Sequence, residues 1–209
     1  MKRLALGAVV LLLAGLCFWW WRRAHQVHYV NLPPTATGEW VAFGDSLTRG
    51  YGASEGRDYP TRVGQLLGVK IRNLGVDGDS TTTALNRLET AAALHPRVVL
   101  LCLGGNDALE QTQRDRTFKN LGAIIDRFHR EGSFVVLIGI RSATLRDKNE
   151  THFAKLAQEK RVYYLPDMLS GVMFKPVLMS DAVHPNDAGY AQISERIAGE
   201  LQPLLPSLR

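Results

Sequence analysis

Beyond about residue 39 the chain alternates repeatedly between short apolar runs rich in β-branched residues and longer stretches whose apolar positions recur at helical spacing. Trp40 to Phe43, Val69 to Asn73, Val98 to Leu103, Phe134 to Ile138 and Val162 to Leu165 read as strands. Between them Tyr59 to Leu67, Thr81 to Leu94, Arg116 to Arg130 and Asn149 to Lys160 read as helices, and an amphipathic stretch from Asn186 to Leu201 follows. Strands joined through helices run parallel, and a parallel sheet must be covered on both faces. The pattern therefore predicts an α/β fold, a three-layer α/β/α sandwich. Ligand sites in such sheets lie at the carboxyl ends of the strands.

Those ends carry the chemistry. Gly44-Asp45-Ser46-Leu47 follows the first strand, and Asp181-Ala182-Val183-His184 precedes the last helix. A serine hydroxyl is a weak nucleophile until an imidazole takes its proton, and a carboxylate fixes the imidazole's tautomer and stabilises its cation. Ser46, His184 and Asp181 supply that set. Pro185 favours the first turn of a helix and restricts the residue before it to an extended conformation, which holds His184 in a loop. Ile193, Ile197 and Leu201 would bury the following helix and so anchor that loop. Two glycine-bearing segments, Asn73 to Ser80 and Gly104-Gly105-Asn106-Asp107, also follow predicted strands. Backbone N–H groups beside glycine, together with the Asn106 amide, are candidate donors to the oxyanion of a tetrahedral intermediate.

The four segments in this order resemble the SGNH hydrolases, also known as GDSL lipases and esterases, over about residues 40 to 203. The resemblance implies a flavodoxin-like sheet and an acyl-ester hydrolase without metal or other cofactor. It assigns Ser46 as nucleophile, Asp181 and His184 as acid and base, and Ser46, Gly78 and Asn106 as the oxyanion hole, with Gly75 the less favoured glycine. Among members, the chain is most similar to the small bacterial thioesterase and lysophospholipase-type esterases. No Gly-x-Ser-x-Gly elbow surrounds Ser46, and the acid and base lie three residues apart, unlike the α/β-hydrolase layout.

The 209 residues divide into an N-terminal segment (1–26), a linker (27–38) and a hydrolase domain (39–209). The net charge of +5 does not point to nucleic acid: Lys2, Arg3, Arg22 and Arg23 lie in the N-terminal segment, and the remainder holds 21 basic against 20 acidic residues. Those four cations flank an unbroken apolar run from Leu4 to Trp21 ending in three tryptophans. As a helix, the run would be about 27 Å long, enough to approach the bilayer's hydrocarbon thickness. It reads as an uncleaved membrane anchor, with a cleaved signal peptide or lipid attachment at Cys17 as the alternatives. The corresponding expectation is an inner-membrane protein with its catalytic domain in the periplasm. Cys17 and Cys102 fall in different apolar segments, so no disulfide is expected.

Asp45, Asp79 and Asp107 stand beside glycines or at strand ends and read as structural caps. Arg49 reads as a surface ion-pair partner, or else as a contact for an anionic head group. His25 and His28 lack Cys or carboxylate partners at ligand spacing, and His95, His129 and His152 fall on predicted helix ends or surfaces, so no metal site is expected. The substrate class remains open: acyl esters or thioesters of small molecules, O-acetylated carbohydrate, or no substrate at all in a silent binding module. A membrane anchor beside the site would favour lipid-derived acyl esters.

Overall fold

The computed structural model describes residues 28–140 and 149–209. Five strands, β1 (Trp40–Gly44), β2 (Ile71–Gly75), β3 (Val98–Cys102), β4 (Phe134–Ile138) and β5 (Tyr163–Leu165), form one parallel sheet in the order β2-β1-β3-β4-β5. All residues of β1, β3 and β4 are buried, which is why these strands are apolar throughout rather than alternating.

Helices cover both faces. On one, Trp40, Ala42, Leu100 and Val136 meet α2 (Tyr59–Leu67) and α8 (Asp187–Leu201). On the other, Val41, Phe43, Leu101 and Leu137 meet α3 (Thr81–Leu85), α4 (Leu88–Ala92), α6 (Arg114–Arg130) and α7 (Asn149–Lys160). Shorter helices α1 (Ser46–Arg49), α5 (Gly105–Leu109) and α9 (Leu205–Leu208) complete the set. The expected N-terminal apolar helix, with Cys17 and His25, lies outside the described residues. Among the described residues no helix is long and apolar enough to cross a membrane.

Three expected elements shift by two residues or more, the first two for local reasons. The second strand begins at Ile71 rather than Val69, because Val69 belongs to the cap of α2: Gly68 adopts φ +64° and the Val69 N–H bonds back to Gly64 O at 3.0 Å. The helix expected over Thr81 to Leu94 divides into α3 and α4 at Asn86-Arg87, where the Arg87 side chain turns toward the strand ends. The third begins at Arg114, two residues earlier than expected.

Residues 28–38 are a docked strap rather than a bare connector. Val30 N–H bonds Arg161 O, Thr35 N–H bonds Gly132 O and Gly38 N–H bonds His95 O. Tyr29 packs edge-on against Phe134 and Tyr163, the first residues of β4 and β5. The strap therefore follows the amino edge of the sheet. The loops bearing Ser46, Gly78 and Asn106 lie at the opposite, carboxyl edge, so the N-terminal segment does not join the domain beside the site.

The turn from β1 into α1 is crowded. A Cβ on Gly44 would lie 2.1 Å from Thr48 Oγ1 and 2.4 Å from Cys102 O, so only glycine fits. Asp45 then caps α1, its Oδ1 accepting from Leu47 N–H at 3.0 Å. Burial pushes the Asp45 carboxyl up to about 7, against the Leu47 bond and with help from Asp79 and Asp107. The folded state thus holds a proton that the unfolded chain releases near 3.8, and this group's stabilising contribution falls as pH rises from about 4 to 7. Asp45→Asn retains the cap without the ionisation. Thermal unfolding of the variant and the parent across that range should show the variant gaining relative stability with rising pH; parallel curves would mean that Asp45 is already ionised.

Candidate active site

Ser46 leaves β1 as the first residue of α1, where the helix has N–H groups without intrahelical acceptors. Asp45 occupies the Leu47 N–H. No protein acceptor bonds the Ser46 N–H among the described residues, which leaves it as a donor at the cavity that Ser46 lines.

His184 arrives from the other end of the chain. Ser180 holds its carbonyl with both N–H and Oγ, at 2.9 and 3.1 Å, while Asn186 caps α8 through the N–H groups of Ala188 and Gly189. The Asp181 carboxylate accepts from the Val183 and His184 N–H groups through Oδ1, both at 2.8 Å, and meets His184 Nδ1 through Oδ2 at 2.8 Å. With the proton on Nδ1, the imidazole presents Nε2 as an acceptor, and Ser46 Oγ lies 3.0 Å away. Desolvation acts to raise the Asp181 pKa, but the Val183, His184 side-chain and His184 backbone bonds outweigh it and hold the carboxyl below its ordinary value. Asp181 is accordingly ionised at neutral pH.

The donor segments converge on the same place. Gly78 adopts φ +73°, and its N–H has no protein acceptor among the described residues. Asn106 donates one amide hydrogen to Asp79 O at 3.0 Å, leaving the second for another acceptor. Ser46, Gly78, Asn106 and His184 line one cavity of about 400 Å³, a size that suits a small-molecule ligand. Gly75 does not line it, and its N–H is already bonded to Asn73 Oδ1 at 2.9 Å. Leu109, Ile140, Leu169, Met173 and Val183 give the same cavity an apolar wall.

The neighbouring acids have separate structural tasks. Asp79 is clasped by Arg87 and receives Thr83 Oγ1. Asp107 fastens the start of α3, accepting from Thr81 N–H at 2.8 Å and Thr81 Oγ1 at 2.6 Å. Arg49 pairs at the surface with Asp77. Among the described histidines, His95 pairs with Glu131, and His129 is held down to about 4 by burial.

Sequence reasoning missed Tyr51, whose ring lies 4.5 Å from the His184 ring, centroid to centroid, and at 42° to it. Its setting between Gly50 and Gly52, five residues past Ser46, was a usable signal. It also missed Arg87, and it missed Leu169 and Met173, which reach the cavity from a segment without regular periodicity.

Residues 42–192 match the GDSL-like Lipase/Acylhydrolase family. The chain is 34% identical over 174 residues to thioesterase 1/protease 1/lysophospholipase L1 of Escherichia coli K12, with 79% of this chain and 84% of that protein covered. It is 30% identical over 178 residues to an arylesterase of Vibrio mimicus, covering 79% and 89% respectively. The solved structure of TesA superposes with a TM-score of 0.74 at 24% identity, across 79% of this chain and 98% of that one, a likeness of fold. The match of motif order, chain coverage and fold makes this protein a member of the GDSL-like lipase/acylhydrolase family.

Proposed function

We propose that the protein is a serine esterase that hydrolyses acyl esters or thioesters through an acyl-enzyme. The observation that carries this reading is the continuous path from Ser46 Oγ to His184 Nε2 at 3.0 Å and from His184 Nδ1 to Asp181 Oδ2 at 2.8 Å, opening on a largely apolar cavity. Ser46 Oγ attacks the acyl carbon while His184 takes its proton. Asp181 stabilises the imidazolium, and the Ser46 and Gly78 N–H groups with the Asn106 amide receive the oxyanion. Collapse of the intermediate breaks the bond to the alcohol or thiol, which leaves with the proton from His184. Water, deprotonated by the same imidazole, then frees the acid.

The apolar wall supports an acyl chain as the part of the substrate held beside Ser46, and the names of the Escherichia coli and Vibrio relatives agree with this choice. Carbohydrate acetate is the second reading; an acetyl group would leave most of the apolar wall unused. Residues 1–26 are proposed as an inner-membrane anchor, with residues 39–209 as the hydrolase domain in the periplasm.

Ser46→Ala should abolish both turnover of a short-chain aryl ester and labelling by a serine-directed phosphonate, while leaving the melting temperature nearly unchanged. Phosphonate attached to another serine would overturn the nucleophile assignment. Rates against aryl esters of increasing acyl length, set beside acetylated glycans, should rise beyond acetyl; a preference for the glycans would favour the second reading.

Asn106→Ala should lower kcat about 10²- to 10³-fold, equivalent to roughly 2.7 to 4 kcal/mol, with KM little changed. Asp107→Ala should instead lower the melting temperature, because Asp107 fastens α3. If Asn106→Ala melts early yet keeps full activity per folded molecule, its amide is structural only.

The full-length protein should stay with membranes through high salt and alkaline washing, whereas a chain beginning at His28 should be released in active form. A natural N-terminus found beyond Trp21 by mass spectrometry would replace the anchor with a cleaved signal.

A further inference from the structure

Arg87 lies outside every motif that marked the site, in the turn between α3 and α4, yet its guanidinium joins three of the segments that build it. Nε donates to Asp79 Oδ2 at 2.7 Å, Nη1 to Leu74 O at 2.9 Å, and Nη2 to Gly44 O at 2.9 Å. Nη2 also lies 2.5 Å from the Asp79 carboxylate, and Cζ sits 4.0 Å above the centre of the Phe43 ring. Gly44 is two residues before Ser46, Leu74 is near the end of β2, and Asp79 follows Gly78. One planar cation therefore ties the strand that carries the nucleophile to the loop that carries Gly78.

The connection continues through Asp79. Its carboxylate is gripped by Arg87 and Thr83, while its carbonyl oxygen receives the Asn106 amide at 3.0 Å. That bond sets the rotation of the Asn106 side chain and so the direction of its second amide hydrogen. Arg87 makes no hydrogen bond to Asn106 itself, but the residue that orients Asn106 is held by it. The arrangement depends on the shape of the donor: a guanidinium places several N–H groups in fixed directions in one plane, whereas an ammonium is a compact charge on a flexible stem. Asp79 is 5% exposed, so its carboxylate is poorly placed to exchange the guanidinium for water.

We infer that Arg87 is a positioning residue for ester hydrolysis, fixing the spacing between Ser46, the Gly78 N–H and the Asn106 amide so that the oxyanion meets all three donors. The inference rests on the proposed role of Asn106 and Gly78 as donors. It goes beyond that role by naming the group that sets their geometry, and it distinguishes Arg87 from an ordinary structural ion pair. Misplaced donors weaken the transition state more than the bound ester, so kcat rather than KM should respond.

The test uses full-length Arg87→Ala and Arg87→Lys, with active sites counted by phosphonate titration so that misfolded molecules do not enter the rate. Per titrated site, both variants should lose about 10- to 100-fold in kcat, with KM within about threefold of the parent. Guanidinium at non-denaturing concentration should restore Arg87→Ala in a saturable manner and have no such effect on Arg87→Lys. Should Arg87→Ala not fold, Arg87→Lys carries the same kcat and KM comparison. An unchanged kcat per titrated site, with only the melting temperature lowered, would overturn the inference and leave Arg87 a structural residue. Asn106→Ala measured alongside separates the two readings. If it lowers kcat while Arg87→Lys and Arg87→Ala do not, the positioning role alone fails; if it has no effect on kcat, the oxyanion assignment on which that role rests fails first.

Discussion

The parallel pairing of β1 with strands on either side, in register to their last residues, underlies the rest of the site. Gly44 sits opposite Gly75 on one side and Cys102 on the other, so three chain segments leave the sheet at the same level. Ser46, Gly78 and Asn106 each follow one of those exits by two to four residues. Sliding β1 by one position would turn Trp40 and Ala42 to the opposite face and exchange them with Val41 and Phe43. Because both faces of β1 are buried, such a slip would disturb two cores together. Strand register therefore fixes catalytic spacing to within a residue, and the loops need supply only the final orientation.

Final orientation comes from buried charge, handled differently at each position. Asp45, Asp79 and Asp107 are all at most 5% exposed. Asp45 holds its own proton near neutrality, Asp79 has a cation, and Asp107 is surrounded by hydroxyl and backbone donors. Removing one partner from such a group is expensive because the remainder stays desolvated. The residues that follow Gly78 and Asn106 are thereby anchored. The acidic residue of the Ser–His–Asp set is treated in the opposite manner: Asp181 has 42% of its side chain exposed and is kept charged by two backbone N–H groups and the imidazole.

The central strands were legible in the sequence because burial on both faces makes them continuously apolar; Phe134–Ile138 coincides with its expected span. The edge strand β2 was less so, since a helix cap and a strand start both use a valine after a glycine. The Ser46, Asp181 and His184 grouping was readable because four segments at predicted strand ends follow one another in a single order along the chain, although each taken alone reads as an ordinary turn or cap. Short helices of four or five residues, α1 and α5, hold too little periodicity to register. Arg87 was invisible for a different reason: its acceptors, Asp79, Leu74 and Gly44, lie 8, 13 and 43 residues away in the chain, and no local pattern encodes a bond of that kind.

The strap along the amino edge has a consequence for reach. Only six residues separate Trp21 from His28, a contour of about 24 Å even when fully drawn out. A domain of this size has a radius of about 20 Å, so carrying the tether around to the opposite pole would need roughly 60 Å of chain. For a molecule held in a bilayer by residues 4–21, as proposed, the tether would enter the domain at the edge opposite the catalytic mouth, and only a tilt of the whole domain would bring that mouth toward the same membrane. Upright on such a tether, the mouth would face the aqueous space.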